Sequence, residues 1–205
     1  MLNQVAPDIL DSEIYSFASK FSNQVLRISK EADKPFVVYF VGMIGSGKTT
    51  TAKFISTHYN LVRVSTDEVR DFLEENGFSR ERSFDVAEVV AERILQQGYG
   101  IVFDADLVDQ YFQDHVIALS KKVGVLTLLL QIQTPESLIL KRLRADNSDR
   151  VYKGKIAIHD YTHRKPKFEN LSIQPDVIID GSADFEEQMK HTIQIIDKKL
   201  AITRS

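Results

Sequence analysis

Residues 42–49 read GMIGSGKT and match the pattern G-x-x-x-x-G-K-[ST], which constrains the fold more than any other stretch of the chain. A turn of this kind wraps phosphate groups with backbone N–H groups, in conformations that glycine reaches at low cost. The preceding residues 35–41 are apolar and β-branched, as in a buried parallel strand, and residues 50–58 have the apolar spacing of a helix. Strand, glycine turn and helix therefore predict a phosphate-binding site at the edge of a parallel sheet.

The residues of this turn have separate expected roles. Lys48 would bridge the β- and γ-phosphates of ATP, and the Thr49 hydroxyl would ligate Mg²⁺ at the positive end of the following helix. The expected cofactors are therefore ATP and Mg²⁺. The predicted nucleotide-binding residues are Gly42, Met43, Ile44, Gly45, Ser46, Gly47, Lys48, Thr49 and Thr50.

Composition excludes several other classes of protein. The 205 residues, 43% of them hydrophobic, can form one core with appendages, and the absence of cysteine excludes disulfides and thiolate chemistry. A net charge of −3 gives no general attraction to nucleic acid, so a nucleic-acid end is a less favoured partner than a small molecule or nucleotide. We see neither a signal peptide nor an apolar run of membrane-spanning length, and therefore expect a soluble cytoplasmic protein without a membrane partner.

The first 34 residues precede the nucleotide-binding core. Residues 8–30 repeat apolar side chains at helical spacing and predict one amphipathic helix. Two interpretations remain open: the helix packs against the sheet edge or the last helix, or it binds a partner or a second copy. We divide the chain into an N-terminal helical extension, residues 1–34, and a nucleotide-binding domain, residues 35–205.

The rest of the chain alternates between strands and helices. Further strands are predicted at residues 61–64, 100–104, 125–132 and 176–180, with helices between them. This alternation is typical of an α/β three-layer sandwich, a five-stranded parallel sheet with helices on both faces. Residues 145–171 lose the apolar rhythm and become polar, basic and aromatic, which predicts a long loop or lid.

Acidic side chains follow two of the predicted strands. The carboxyl ends of parallel strands share one edge of the sheet with the glycine turn, so these side chains should face the phosphates. Asp104 would hold the hydration shell of Mg²⁺ together with Thr49, with Asp106 as the spare; either could instead cap the next turn. Asp67 could accept the proton of a substrate hydroxyl or orient it, although an acid in the first turn of a helix is also ordinary.

Basic side chains complete the candidate site. Arg70 lies three residues after Asp67 on the same helix face and could hold a phosphate of the acceptor. Arg142 and Arg144, where a helix enters the lid, could clamp the β- and γ-phosphates or form a solvated helix end, and Arg150 could join them. Two further residues, His159 and His163, are four apart, but without a third ligand surface histidines are the favoured interpretation.

The whole pattern resembles the small P-loop kinases related to zeta toxins, polynucleotide 5′-hydroxyl kinases, gluconate-type kinases and chloramphenicol phosphotransferases, a group of AAA-type kinases. The resemblance covers residues 36–200 and depends on residues 42–49, 65–70, 98–105 and 140–144. It implies the kinase-like strand order 2-3-1-4-5, a catalytic base at Asp67 and an acceptor contact at Arg70. Relatives often carry a second arginine four residues after the position of Arg142, where this chain has Asp146.

These observations predict an ATP- and Mg²⁺-dependent phosphotransferase that moves the γ-phosphate to a hydroxyl or phosphate of a small molecule or nucleotide. Two rivals are a nucleotide-hydrolysing switch and a regulatory module that binds ATP without catalysis. A motor ATPase would normally carry a glutamate after Asp104, where Ala105 stands, and a GTPase would carry an Asn-Lys-x-Asp motif, which is absent. Both observations favour the kinase, whose acceptor would be selected by residues 72–84 and the lid.

Overall fold

The computed structural model describes residues 6–26, 35–105, 107, 110–145 and 154–202. The strands in these ranges are β1 (Phe36–Val41), β2 (Val62–Ser65), β3 (Ile101–Asp104), β4 (Leu126–Gln133) and β5 (Val177–Asp180). The helices are α1 (Asp11–Leu26), α2 (Lys48–Tyr59), α3 (Thr66–Glu75), α4 (Ser83–Gln96), α5 (Gln110–Val123), α6 (Glu136–Arg144), α7 (Gly154–Glu169) and α8 (Phe185–Ile202). The strands begin and end within one residue of their predicted positions.

All five strands are parallel, in the order β2-β3-β1-β4-β5. The register aligns Ser65 with Asp104 and Val41 with Gln131, so the strands end at a common edge. The predicted fold class and strand order are therefore confirmed. The turn after β1 and the start of α3 both follow strands that end at this edge.

Alternating side chains of the buried strands divide the core into two layers. Val37 and Tyr39 of β1 belong to a cluster with α1, α4 and α5, whereas Val38 and Phe40 belong to a cluster with α2 and α8. Successive side chains of a strand point to opposite faces of the sheet, which is why one strand contributes to both clusters. The molecule is thus the predicted three-layer sandwich. Among the described helices, none combines the length and apolar character that a membrane crossing needs.

The N-terminal helix α1 is part of the larger core cluster. Phe17 packs against Phe72 of α3 and against Phe78, with ring centroids 4.7 and 5.7 Å apart. The apolar stripe of α1 lies on α3 and α4, on the face of the sheet opposite α8. The prediction that this N-terminal helix packs against the sheet edge or the last helix was therefore wrong. Residues 27–34 lie outside the described part of the chain, and the division at residue 34 stays a prediction.

Residues 154–169 form the helix α7, where the sequence predicted a loop. Ala157 and Tyr161 are buried against α6 in a small cluster with Met43 of the glycine turn. Among the described side chains of α7 only these two are buried, and the helix contains Pro166, so the 3.6-residue rhythm was too weak to recognise. The loop assignment was wrong here for that reason. Residues 146–153, including Asp146 and the candidate Arg150, lie outside the described ranges.

Candidate active site

The glycine turn folds as its pattern predicts. Residues 42–47 connect the buried strand β1 to α2, and Gly45 and Gly47 have φ angles of 78° and 114°, which side chains rarely adopt. The Ser46 amide donates to the Met43 carbonyl at 3.0 Å and tightens the turn. We call residues 42–49 the phosphate turn. It brings together eight of the nine predicted nucleotide-binding residues, and Thr50 follows in the first turn of α2.

The Lys48 ammonium lies over the phosphate turn. Its Nζ atom donates to the carbonyls of Gly42 and Met43 at 2.6 and 3.0 Å. These bonds hold a positive charge beside backbone N–H groups at the start of a helix, whose dipole has the same sign. The arrangement produces a local surplus of positive charge that favours an anion such as a phosphate.

Replacing Gly45 by alanine should weaken nucleotide binding and lower the melting temperature. A Cβ atom there would lie 3.0 Å from Cδ2 of Leu143 and would need a φ of 78°, so the Leu143 side chain would have to shift by a few tenths of an ångström and the backbone would be strained. Gly77→Ala is the matched control, because Gly77 has a φ of 84° but open space around it. Calorimetry with AMPPNP and thermal unfolding should show a larger loss for Gly45→Ala. Equal losses would show that only backbone strain matters.

Asp104 ends β3 and forms the acidic centre of the site. It is 5% exposed, and its Oδ2 accepts a hydrogen bond of 2.6 Å from Nη1 of Arg63. The other side of the Arg63 guanidinium pairs with Glu68. Arg63 was not among the site residues predicted from the sequence. Its position on β2, next to β3 in the sheet, would have indicated the pair once the strand order was known.

Burial raises the pKa of Asp104, while the charges of Arg63 and then Lys48 lower it and that of Asp67 raises it. Asp104 ends β3, Asp67 follows β2 and Lys48 follows the turn after β1, so three predicted site residues lie at one edge of the sheet. Mg²⁺ binds carboxylate and hydroxyl oxygens. The oxygen atoms of Asp104 and Thr49 are therefore suitable ligands for a hydrated Mg²⁺. Asp106 lies outside the described residues.

Replacing Arg63 by methionine should destabilise the protein strongly. The change leaves the Asp104 carboxylate buried without its cation, which typically costs about 3–5 kcal/mol of unfolding free energy. Removing only the exposed partner, in Glu68→Gln, should cost less than about 1 kcal/mol. Urea unfolding would measure both, and the double variant Arg63→Met/Asp104→Leu should recover part of the loss. An unchanged midpoint in Arg63→Met would contradict the buried pair.

Asp67 and Arg70 lie together at the start of α3. Nη1 of Arg70 donates to a carboxylate oxygen of Asp67, and its Nε donates to Oγ of Ser83 at 3.2 Å. The Asp67 side chain is 49% exposed, so it is accessible to a substrate. Ser65 caps the helix by accepting from the Glu68 amide at 3.5 Å. The expected shared face of Asp67 and Arg70 is therefore present.

The two arginines of α6 have different surroundings. Nη1 of Arg142 donates to the carbonyls of Gly45 and Ser46 at 3.3 and 3.0 Å, and its Nη2 donates to that of Gly181 at 2.8 Å. Arg142 therefore connects α6, the phosphate turn and the residue that follows β5. Arg144 is exposed at the end of the helix. The clamp on the β- and γ-phosphates stays a prediction for both.

A pocket of about 320 Å³ adjoins the phosphate turn. Ser46 and Thr50 line one side, and Gly181 and Phe185 line another. Gly181 and Phe185 were not predicted from the sequence. Gly181 directly follows β5, so it could have been predicted, because the carboxyl ends of parallel strands lie at the same edge of the sheet. A larger cavity of about 710 Å³ lies between α1, α3 and the end of α2, and its described lining residues are all outside the phosphate turn.

The histidine pair of α7 agrees with a surface role. The rings of His159 and His163 are stacked with centroids 4.7 Å apart. In the described part of the chain, no group of three or more His, Asp or Glu residues is arranged to hold a metal ion. Both side chains are exposed on the surface of α7.

A family model described as an AAA domain matches residues 37–160, which span the sheet from β1 to β4 and include the phosphate turn, Asp67 and Arg142. The chain belongs to the AAA domain family. The match begins in β1 and ends in α7, so α1 lies outside the part that this AAA domain shares with its family. No curated protein sequence matches the chain.

Solved structures share the fold of this AAA domain. The APS kinase CysC of Mycobacterium tuberculosis, in complex with AMPPNP and APS, is 17% identical, with a TM-score of 0.58 over 80% of this chain and 98% of that chain. Shikimate kinase of Aquifex aeolicus is 14% identical, with a TM-score of 0.53 over 80% and 98% of the two chains. The predicted resemblance to small P-loop kinases is confirmed as a shared fold.

One further structure connects the fold to the zeta-toxin-like part of the predicted resemblance. A structure of the PezAT chromosomal toxin-antitoxin system of Streptococcus pneumoniae is 20% identical, with a TM-score of 0.55. The alignment covers 66% of this chain and 62% of that chain, so it spans less than two thirds of that protein.

Proposed function

We propose that this AAA domain is a kinase that transfers the γ-phosphate of ATP to a hydroxyl or phosphate of a small molecule or nucleotide. The observation that carries the proposal is the position of Asp67. Ser65, the last residue of β2, is paired with Asp104, and Asp67 follows two residues later with a side chain that is 49% exposed, so an accessible carboxylate lies at the edge of the sheet to which the phosphate turn also belongs. Phosphoryl transfer needs an acceptor positioned in line with the γ-phosphate, and in this proposal Asp67 and Arg70 hold that acceptor.

The step can be assigned to residues of this chain. The phosphate turn and Lys48 hold the β- and γ-phosphates, and the pocket beside Thr50 and Phe185 takes the nucleoside. The acceptor oxygen bonds to the γ-phosphorus while the bond to the β–γ bridging oxygen breaks, so ADP leaves. For a hydroxyl acceptor, Asp67 receives the proton. Arg70 balances the charge on the acceptor side.

A bound Mg²⁺ would supply positive charge to the phosphate oxygens, with Thr49 and Asp104 as the residues that hold it. Arg142 and Arg144 remain candidates for the same phosphates, because α6 lies against the phosphate turn. Two kinases with the same fold support a small-molecule acceptor. One is the APS kinase in complex with AMPPNP and APS, and the other is the shikimate kinase. A cytoplasmic location stays a prediction.

The test is an ADP-release assay with ATP, Mg²⁺ and a panel of candidate acceptors. The panel contains sugars, hydroxy acids, nucleosides and nucleotides, and each is tested with wild type and with Asp67→Asn. We expect ADP release that depends on one acceptor class and is lost in the variant. Release without any acceptor, unchanged in Asp67→Asn, would support a hydrolysing switch. ATP binding without release would support a regulatory module.

A further inference from the structure

The N-terminal segment is fastened by polar bonds to the connector between α3 and α4. The Ser79 amide donates to the Pro7 carbonyl at 2.8 Å, and the Ser79 hydroxyl donates to the Asp8 carboxylate. Arg82 Nη1 donates to the carbonyl of Ile9 at 3.2 Å and pairs with Asp11. These four bonds converge on two residues of one connector, Ser79 and Arg82, so the N-terminal segment and the connector hold one another in place.

Arg82 also fixes the beginning of α4. Its Nε donates to the Asp85 carboxylate in the first turn of that helix at 2.8 Å. The guanidinium thus joins the N-terminal segment to α4 with donors in a fixed planar arrangement. The next residue, Ser83, is the first residue of α4 and is 3% exposed. Any displacement of Arg82 would therefore move Ser83.

Ser83 in turn contacts the candidate site. Its Oγ accepts from Nε of Arg70 at 3.2 Å, while Nη1 of Arg70 donates to Asp67. Two contacts on different nitrogens set the orientation of a planar guanidinium, which a single contact would leave free to rotate. The direction in which Arg70 presents its remaining donors consequently depends on Ser83.

We propose that Ser83 is a positioning residue for Arg70, and that residues 7–11, acting through Arg82, belong to the acceptor side of the active site. This inference depends on the proposed function, in which Arg70 holds the acceptor. It gives α1 a role within the chain itself, beyond burying apolar surface. The AAA domain match begins only at residue 37, so this is an addition of this chain to the shared core.

The direct test observes Arg70 without any acceptor. In ¹⁵N-labelled protein, the Nε–H resonance of Arg70 is assigned by its loss in Arg70→Lys. Loss of one hydrogen bond in Ser83→Ala should accelerate its hydrogen exchange about 2- to 10-fold and shift the resonance. Asp11→Asn should cause a smaller change in the same direction, although the Asp11 side chain is 88% exposed.

Glu81→Gln is the matched control for Asp11→Asn. It removes one negative charge from an exposed side chain of the same connector, next to Arg82, and should leave the Arg70 resonance unchanged. Thermal unfolding monitors the fold of each variant. If Ser83→Ala does not fold, Asp11→Asn still decides the question. An Arg70 resonance that is the same in wild type and the folded variants would overturn the relay.

A second measurement separates the relay from the proposed function. With AMPPNP filling the phosphate turn, inorganic phosphate is titrated as a probe for an anionic acceptor and followed at the Arg70 resonance. We expect binding in wild type and about 2- to 10-fold weaker binding in Ser83→Ala. If the exchange results hold but phosphate does not act on Arg70 in wild type, the acceptor role of Arg70 is wrong. If phosphate binds equally in both proteins, the positioning role of Ser83 is wrong.

Discussion

Lys48→Ala should reduce kcat for acceptor phosphorylation by at least about 10²- to 10³-fold, the usual loss when one donor to a developing negative charge is removed. The Nζ atom bonds the Gly42 and Met43 carbonyls and is the ammonium group of the phosphate turn. Loss of two hydrogen bonds, each contributing about 1 kcal/mol, should lower the melting temperature without preventing folding. ADP release and thermal unfolding would measure the two effects.

The control for this change is Lys53→Ala. Lys53 lies on the same helix, is exposed and is outside the phosphate turn, so its loss should leave kcat within about twofold. Activity retained in Lys48→Ala at the level of Lys53→Ala would show that this ammonium is not needed for transfer. Loss of activity in both variants would point to a general effect of removing positive charge from α2.

Asp67→Asn should lower kcat by about 10²- to 10⁴-fold while leaving AMPPNP binding almost unchanged. The amide keeps the shape of the side chain and an oxygen for Arg70, but it no longer accepts the proton of an acceptor hydroxyl. Because the side chain is 49% exposed, its ion pair with Arg70 should contribute less than about 1 kcal/mol to stability. Kinetics with the identified acceptor and calorimetry with AMPPNP would separate catalysis from nucleotide binding.

Asp71→Asn provides the matched control, since it makes the same change one turn later on α3 at an exposed side chain. It should retain kcat within about twofold. Full activity in Asp67→Asn would contradict the assignment of Asp67 as the base. Asp67 would then be only an acidic residue in the first turn of α3. An equal loss in both variants would attribute the effect to the net charge of α3.

Local patterns predicted the elements that depend on local chemistry. The phosphate turn, the strands and the helix start at Ser65 follow from residues that are neighbours in the chain. Ser65 caps the amide of Glu68, three residues later, while the Glu68 carboxylate pairs with Arg63. That partner lies five residues away and reaches it only because β2 ends beside the start of α3.

The missed features depend on contacts between distant parts of the chain. Helix α7 has a weak apolar stripe, and its burial against Met43 and α6 stabilises what the local rhythm did not indicate. Arg142 was predicted from the end of a helix, but its bonds to Gly45 and Gly181 depend on how three elements meet. No spacing rule relates positions that far apart in the sequence.

The sequence by itself determined the phosphate turn, the alternation of strands and helices and the edge of the sheet where the acids lie, because glycine conformations and side-chain periodicity act over a few residues. Only the tertiary structure decided that Arg63 compensates Asp104 and that the N-terminal segment reaches Arg70 through Arg82 and Ser83. Such pairings depend on strand order, register and helix packing. These are set by burial of the whole core, and the paired residues, which are 13 to 73 positions apart, meet only when it has formed.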